Sequence, residues 1–149
     1  MELSVFVEIE KSLEDVWKAI IDFENCSNYI NSIVEIEIID NPRDTLIGFK
    51  WKETRVMFGK EATETMWITD YIENNYYQTR AESHGSIYIS RLSLERVREN
   101  TKLTMSFTAE AQTFFVKILS VFMGFIIKGS MKKALLKDLN DIKNHLESK

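Results

Sequence analysis

The chain has 149 residues, 44% of them hydrophobic and 28% charged, which suits one globular domain spanning 1–149 with a sizeable core. A net charge of −4 leaves no basic footprint for nucleic acid. A single cysteine excludes an internal disulfide, and the opening "MELSVFVEIEK" has no basic, apolar leader pattern, so a reducing cytoplasm is the expected location.

The opening alternates. Leu3, Val5, Val7 and Ile9 fall on one parity, with Glu2, Ser4, Glu8 and Glu10 on the other, as in a half-buried strand; Phe6 is the exception. Ser12 then reads as an N-cap, with Glu14 and Asp15 where the first-turn amides and the helix dipole favour carboxylates. Leu13, Val16, Trp17, Ile20 and Phe23 follow at helical spacing, so "SLEDVWKAIIDFEN" is an amphipathic helix, and "CSNYIN" is expected to add a short helical turn. Within it Cys26 reads as a small buried hydrophobe, because no histidine lies near it in sequence.

From residue 33 to residue 111 the pattern predicts six strands, near Ile33–Ile39, Leu46–Met57, Lys60–Asp70, Asn75–Ser83, Ser86–Glu95 and Thr101–Ala111. The breaks "DNPRD", "FG", "IENN", "HG" and "REN" carry turn chemistry, and their shortness implies an antiparallel meander. A long helix closes the chain, from near Gln112 to near Ser148. Met131, Leu135, Leu139, Ile142 and Leu146 form its apolar stripe, and Gly124 and Gly129–Ser130 are places where it could bend. Strand, short helices, six strands and a long helix make an α+β domain.

This order, with "IEKSLEDVWKAIIDFENCSNYINSIVEIEII" near the start and "ENTKLTMSF" before the last helix, resembles the SRPBCC (START-like, birch-pollen-allergen-like) superfamily, in its polyketide cyclase/dehydrase branch. The resemblance implies a helix-grip fold. A curved seven-stranded antiparallel sheet would wrap around the long C-terminal helix and enclose an apolar cavity for lipids, polyketides or other hydrophobic molecules.

Residues directly opposite in an antiparallel hairpin point to the same face. Turns at Phe58–Gly59, His84–Gly85 and Arg98–Glu99 pair Trp51 with Met66, Phe49 with Ile68, Glu53 with Glu64, Tyr77 with Leu92, Thr79 with Ser90, Ala81 with Tyr88, Leu94 with Leu103 and Leu92 with Met105. The inner face expected from these registers also takes in Val34, Ile36, Ile38, Ile47 and Phe107. Aromatic and methionine side chains suit the wall of an apolar pocket, and they equally suit a solid core. Candidate ligand-binding residues are therefore Phe49, Trp51, Met66, Ile68, Tyr77, Leu92, Met105 and Phe107. Thr79, Tyr88 and Ser90 offer hydroxyls on the same face, or hydroxyls that simply bond backbone or water.

The opposed Glu53 and Glu64 admit two readings. Both point inward, so that one keeps its proton or shares Arg55, and with Tyr77 they are candidate acid/base groups. Alternatively the strand ends twist and both carboxylates meet solvent at the cavity mouth. His84 falls in a turn and His145 on a solvated helical face. No HExxH, CxxC, phosphate-binding glycine loop or nucleophile elbow is present, so no metal and no cofactor is expected.

The segment "TFFVKILSVFMGFIIKG", residues 113–129, is the most apolar stretch. A membrane span needs about 20 apolar residues, and the run bracketed by Lys117 and Lys128 is only about half that. Its apolar surface exceeds what packing on one sheet face needs, so Ile118, Phe122, Phe125 and Ile126 join the candidate ligand-binding set, as a lid over the cavity. The leading expectation is a carrier or sensor of a hydrophobic small molecule. The alternatives are a cyclase- or dehydratase-like enzyme, and contact with a membrane surface or a partner through the apolar helix and "KGSMKK". The pattern leaves the oligomeric state open.

Overall fold

The computed structural model describes the backbone of residues 2–57, 59–83, 85–111 and 114–149, and the side chains of the same residues apart from 57 and 111–127. The elements are β1 (Glu2–Ile9), α1 (Leu13–Ile20), a 3-10 turn (Cys26–Asn28), β2 (Ile33–Asp40), β3 (Lys50–Met57), β4 (Lys60–Ile72), β5 (Tyr76–Ser83), β6 (Ser86–Val97), β7 (Asn100–Ala111) and α2 (Phe114–Glu147). The strands form one antiparallel sheet in the order β1-β7-β6-β5-β4-β3-β2. All neighbours but β1 and β7 are consecutive in the chain, so short hairpins build most of the sheet.

Local chemistry explains the boundaries. The Ser12 hydroxyl accepts from the Asp15 amide at 3.2 Å, capping α1, with Glu14 and Asp15 in its first turn. Met57 pairs with Lys60 and Ser83 with Ser86, which leaves two-residue turns whose second residues, Gly59 and Gly85, take φ of +77° and +76°. Such turns match the twist of the flanking strands, and glycine adopts that φ without strain. The pairs Trp51–Met66, Glu53–Glu64, Tyr77–Leu92, Thr79–Ser90, Ala81–Tyr88, Leu94–Leu103 and Leu92–Met105 all occur as the spacing predicts.

Three expectations are corrected. Val34 is 54% exposed, because β2 bulges where the pairing Ile33–Arg55 passes to Glu35–Thr54; the extra residue turns Val34 outward and leaves Ile33 buried. Residues 46–48 form a turn rather than the start of β3. The Phe49 amide donates to the Leu46 carbonyl at 3.0 Å, Gly48 has φ of +88°, and Ile47 is left 51% exposed. His145 is half-buried rather than solvated, lying flat on Tyr29 with ring centroids 4.0 Å apart.

Phe6, the break in the β1 alternation, points outward and is covered by Lys102 from β7, whose ammonium stands 4.4 Å from the ring centroid. On the inner face, α2 packs against β1, β7 and α1. Leu139, Ile142 and Leu146 on its second half join the core that contains Ile9, Val16 and Leu103, and Leu135 is buried beside them. The helix runs unbroken through Gly124, Gly129 and Ser130. Seven curved strands gripping one long helix give the helix-grip arrangement.

Candidate functional site

A cavity of about 360 Å³ lies between the sheet and α2. Its wall changes character from one end to the other. At one end α1 and the segment after it drop an aromatic plug onto the sheet: the Phe23 ring stacks on Trp51 at 4.4 Å and meets Tyr77 edge-on at 5.5 Å. Ile20, Cys26 and Ile30 extend this apolar surface.

Toward the β3–β4 turn the wall becomes ionic. Arg55 Nε donates to Glu53 Oε2 at 2.9 Å, and Arg55 Nη1 donates to Asp138 Oδ2 at 2.8 Å. Trp51 Nε1 donates to the other Glu53 oxygen at 3.3 Å, and the Ser32 hydroxyl donates to Asp138 Oδ1 at 2.7 Å. One guanidinium thus holds two carboxylates, each less than one-tenth exposed. Burial works against the Arg55 charge, but Glu53 and then Asp138 more than offset this and hold its pKa above the ordinary value. Glu64 borders the same cavity, half-buried, with no ion pair to any described residue.

Most of the residues read from the pattern border this cavity. They are Trp51 and Glu53 on β3, Glu64 and Met66 on β4, and Tyr77 and Thr79 on β5. Tyr88, Ser90 and Leu92 follow on β6, and Met105 and Phe107 on β7. Phe49 and Ile68 do not border it. Phe23 covers Phe49 at 4.9 Å, and Ile68 is 1% exposed, so both belong to the solid core. The side chains of Ile118, Phe122, Phe125 and Ile126 lie outside the described residues, as does the proposed lid. Of the opposed carboxylates, Glu53 is buried at 7% exposure rather than solvated at a mouth, and it does share Arg55.

Several cavity residues escaped the pattern: Tyr29, Ile30, Ile33, Ala62 and Asp138. Asp138 hides among the charges of α2, although it follows Leu135 by three positions and precedes Ile142 by four, which puts it inside the apolar stripe. Ile33 was hidden by the bulge. Burial pushes the Cys26 thiol up to about 12, with Glu53 adding to the effect, and burial is the main reason that the Tyr77 hydroxyl is held well above the usual tyrosine range. No group of metal-ligating side chains occurs among the described residues, and no helix among them is long and apolar enough to cross a membrane. Lys128, Lys132 and Lys133 are exposed on α2.

The model of the family described as polyketide cyclase / dehydrase and lipid transport matches residues 1–147. No curated protein matches the sequence. A START superfamily protein from Mycobacterium smegmatis superposes with a TM-score of 0.82 at 17% identity, over 99% of this chain and 97% of that one. TTHA0849 from Thermus thermophilus does so at 0.82 and 13%, over 99% and 98%. The Zhui aromatase/cyclase from Streptomyces sp. R1128 gives 0.77 and 12%, over 99% and 93%. Identities this low speak for the fold alone.

Proposed function

Because the chain belongs to the polyketide cyclase / dehydrase and lipid transport family, we propose that it holds a hydrophobic small molecule between the sheet and α2, as a carrier or sensor. The observation that supports this most is the cavity itself. Its volume of about 360 Å³ lies in the range of small-molecule sites, and apolar side chains make up most of its wall, with a few polar groups at fixed places. A reducing cytoplasm suits the free, buried Cys26. The test is to extract the purified protein with organic solvent and identify what is released by mass spectrometry. The reading expects an apolar compound at a stoichiometry near one per chain, or uptake of one when the emptied protein is offered apolar metabolites; a chain that carries none and takes up none would sink it.

One observation favours a second reading, a cyclase- or dehydratase-like enzyme. Glu64 stands on the cavity wall without an ion-pair partner among the described residues, where a carboxylate could accept and return a proton. Glu53 fits that role less well, being tied to Arg55 and Trp51, and Tyr77 keeps its proton. Replacing Glu64→Gln separates the readings. An enzyme loses turnover with ligand affinity largely intact, whereas a carrier has no turnover to lose.

A further inference from the structure

We propose that the occupant of this cavity is an apolar molecule with a hydrogen-bond-donating head, a hydroxyl or an ammonium, which Glu64 receives, and that molecules headed by a carboxylate are rejected. The inference rests on the reading of the cavity as a hydrophobic-ligand site and narrows the class of ligand.

The charges on the wall point this way. Glu53, Glu64 and Asp138 face the cavity against a single cation, Arg55, among the described lining residues. Arg55 is already engaged twice, at 2.9 Å with Glu53 and 2.8 Å with Asp138. Its charge is more than answered before any ligand arrives, so a carboxylate entering the cavity would meet excess negative charge in a setting of low dielectric. An ammonium head on Glu64 removes part of that excess, a hydroxyl head adds nothing to it, and either can donate a charge-assisted hydrogen bond to the carboxylate.

A second, independent feature marks the same space as a polar-plus-apolar ligand site. Tyr77 and Thr79 are 6% and 5% exposed, border the cavity, and have hydroxyls that no described residue bonds. No buried side-chain oxygen or nitrogen among the described residues lacks a partner, so these two hydroxyls are open to the cavity space, where a ligand can reach them. Tyr77 lies at the aromatic end beside Phe23, and Glu64 lies on β4 next to Glu53, toward the β3–β4 turn. An amphiphile fits this polarity with its body against Phe23 and Trp51 and its head on Glu64, while the Tyr77 and Thr79 hydroxyls can meet any polar group along its length.

The test uses three molecules that share one chain and differ only in the head: decylamine, decanol and decanoate, each below its micellar concentration. Each displaces the neutral fluorescent probe N-phenyl-1-naphthylamine from the full chain at physiological salt, where surface charge is largely screened. We expect decylamine and decanol to displace the probe at concentrations at least about tenfold below decanoate, the scale of one charge-assisted hydrogen bond. In Glu64→Gln the preference for amine over acid should shrink by about tenfold, while probe binding by the variant shows that it is folded. Decanoate binding as tightly as decylamine, or an unchanged preference in Glu64→Gln, overturns the inference and leaves the cavity reading standing. Absence of saturable probe binding overturns both.

Discussion

Arg55 on β3 and Asp138 on α2, 83 positions apart in sequence, are joined by a 2.8 Å ion pair that ties the sheet to the long helix beside the cavity. Asp138 is also fixed by Ser32, Arg55 by Glu53, and Glu53 by Trp51, so five side chains from three parts of the chain form one network. Removing the cation alone strands two buried carboxylates. Arg55→Met should therefore cost on the order of 3 kcal/mol in a urea titration, toward the lower end of what broken buried pairs cost because the guanidinium keeps some solvent contact. Adding Glu53→Gln and Asp138→Asn to Arg55→Met should recover a good part of that loss. A single variant as stable as the parent would show that the network contributes nothing to folding.

The stack of His145 on Tyr29 predicts an acid sensitivity. Burial, and then Lys149, hold the His145 pKa below its ordinary 6.5, so the unfolded chain binds the proton more readily than the folded one. Stability from this residue is complete above about pH 6.5 and is lost as pH falls through the lowered folded value. Glu147, held below its ordinary 4.5 by Lys143 and the Glu10 amide, adds a separate loss that begins only below that value. Urea midpoints measured across this range should decline from about 6.5 downward in the parent, and His145→Phe, which keeps a ring on Tyr29, should flatten the upper part of the decline alone. An identical profile in both proteins would remove His145 from the account.

Cys26 provides a chemical probe of the aromatic end. Its thiol donates to the Phe23 carbonyl at 3.3 Å and is pushed up to about 12, chiefly by burial, so little thiolate exists at neutral pH. Ellman's reagent at pH 8 should modify the folded chain on the order of 100-fold more slowly than the chain in guanidinium, where the thiol returns to its ordinary value. Prompt reaction in the folded state would mean that this end of the cavity opens to solvent.

The strand registers were legible because two-residue turns leave almost no freedom. Once Phe58–Gly59 and His84–Gly85 are taken as turns, the pairings of Trp51, Glu53, Tyr77 and Thr79 follow by counting. What failed was what counting cannot see. A bulge at Val34 changes parity within β2, and nothing in "SIVEIEII" marks it, since Ile33 and Val34 are equally apolar. Phe49 and Trp51 share the inner face, both are buried and both pack on Phe23, which arrives from a separate element, yet only Trp51 borders the cavity, and alternation along the strand does not distinguish the two. Asp138 was readable in principle, as an acid placed within an apolar stripe, but its partner Arg55 is fixed only by tertiary structure.

The central claim is a cavity that takes a hydrophobic molecule between β-sheet and α2, and one titration tests it most directly. Ser90 borders the cavity from β6 opposite Thr79, so Ser90→Trp places an indole in the space without removing any core contact. N-phenyl-1-naphthylamine is titrated into the parent and into this variant, with circular dichroism showing both folded. The account predicts saturable binding of one probe per chain in the parent and affinity lowered by about tenfold or more in the variant, since a filled pocket cannot enclose its ligand. No saturable binding by the parent, or equal binding by the two proteins, would contradict it.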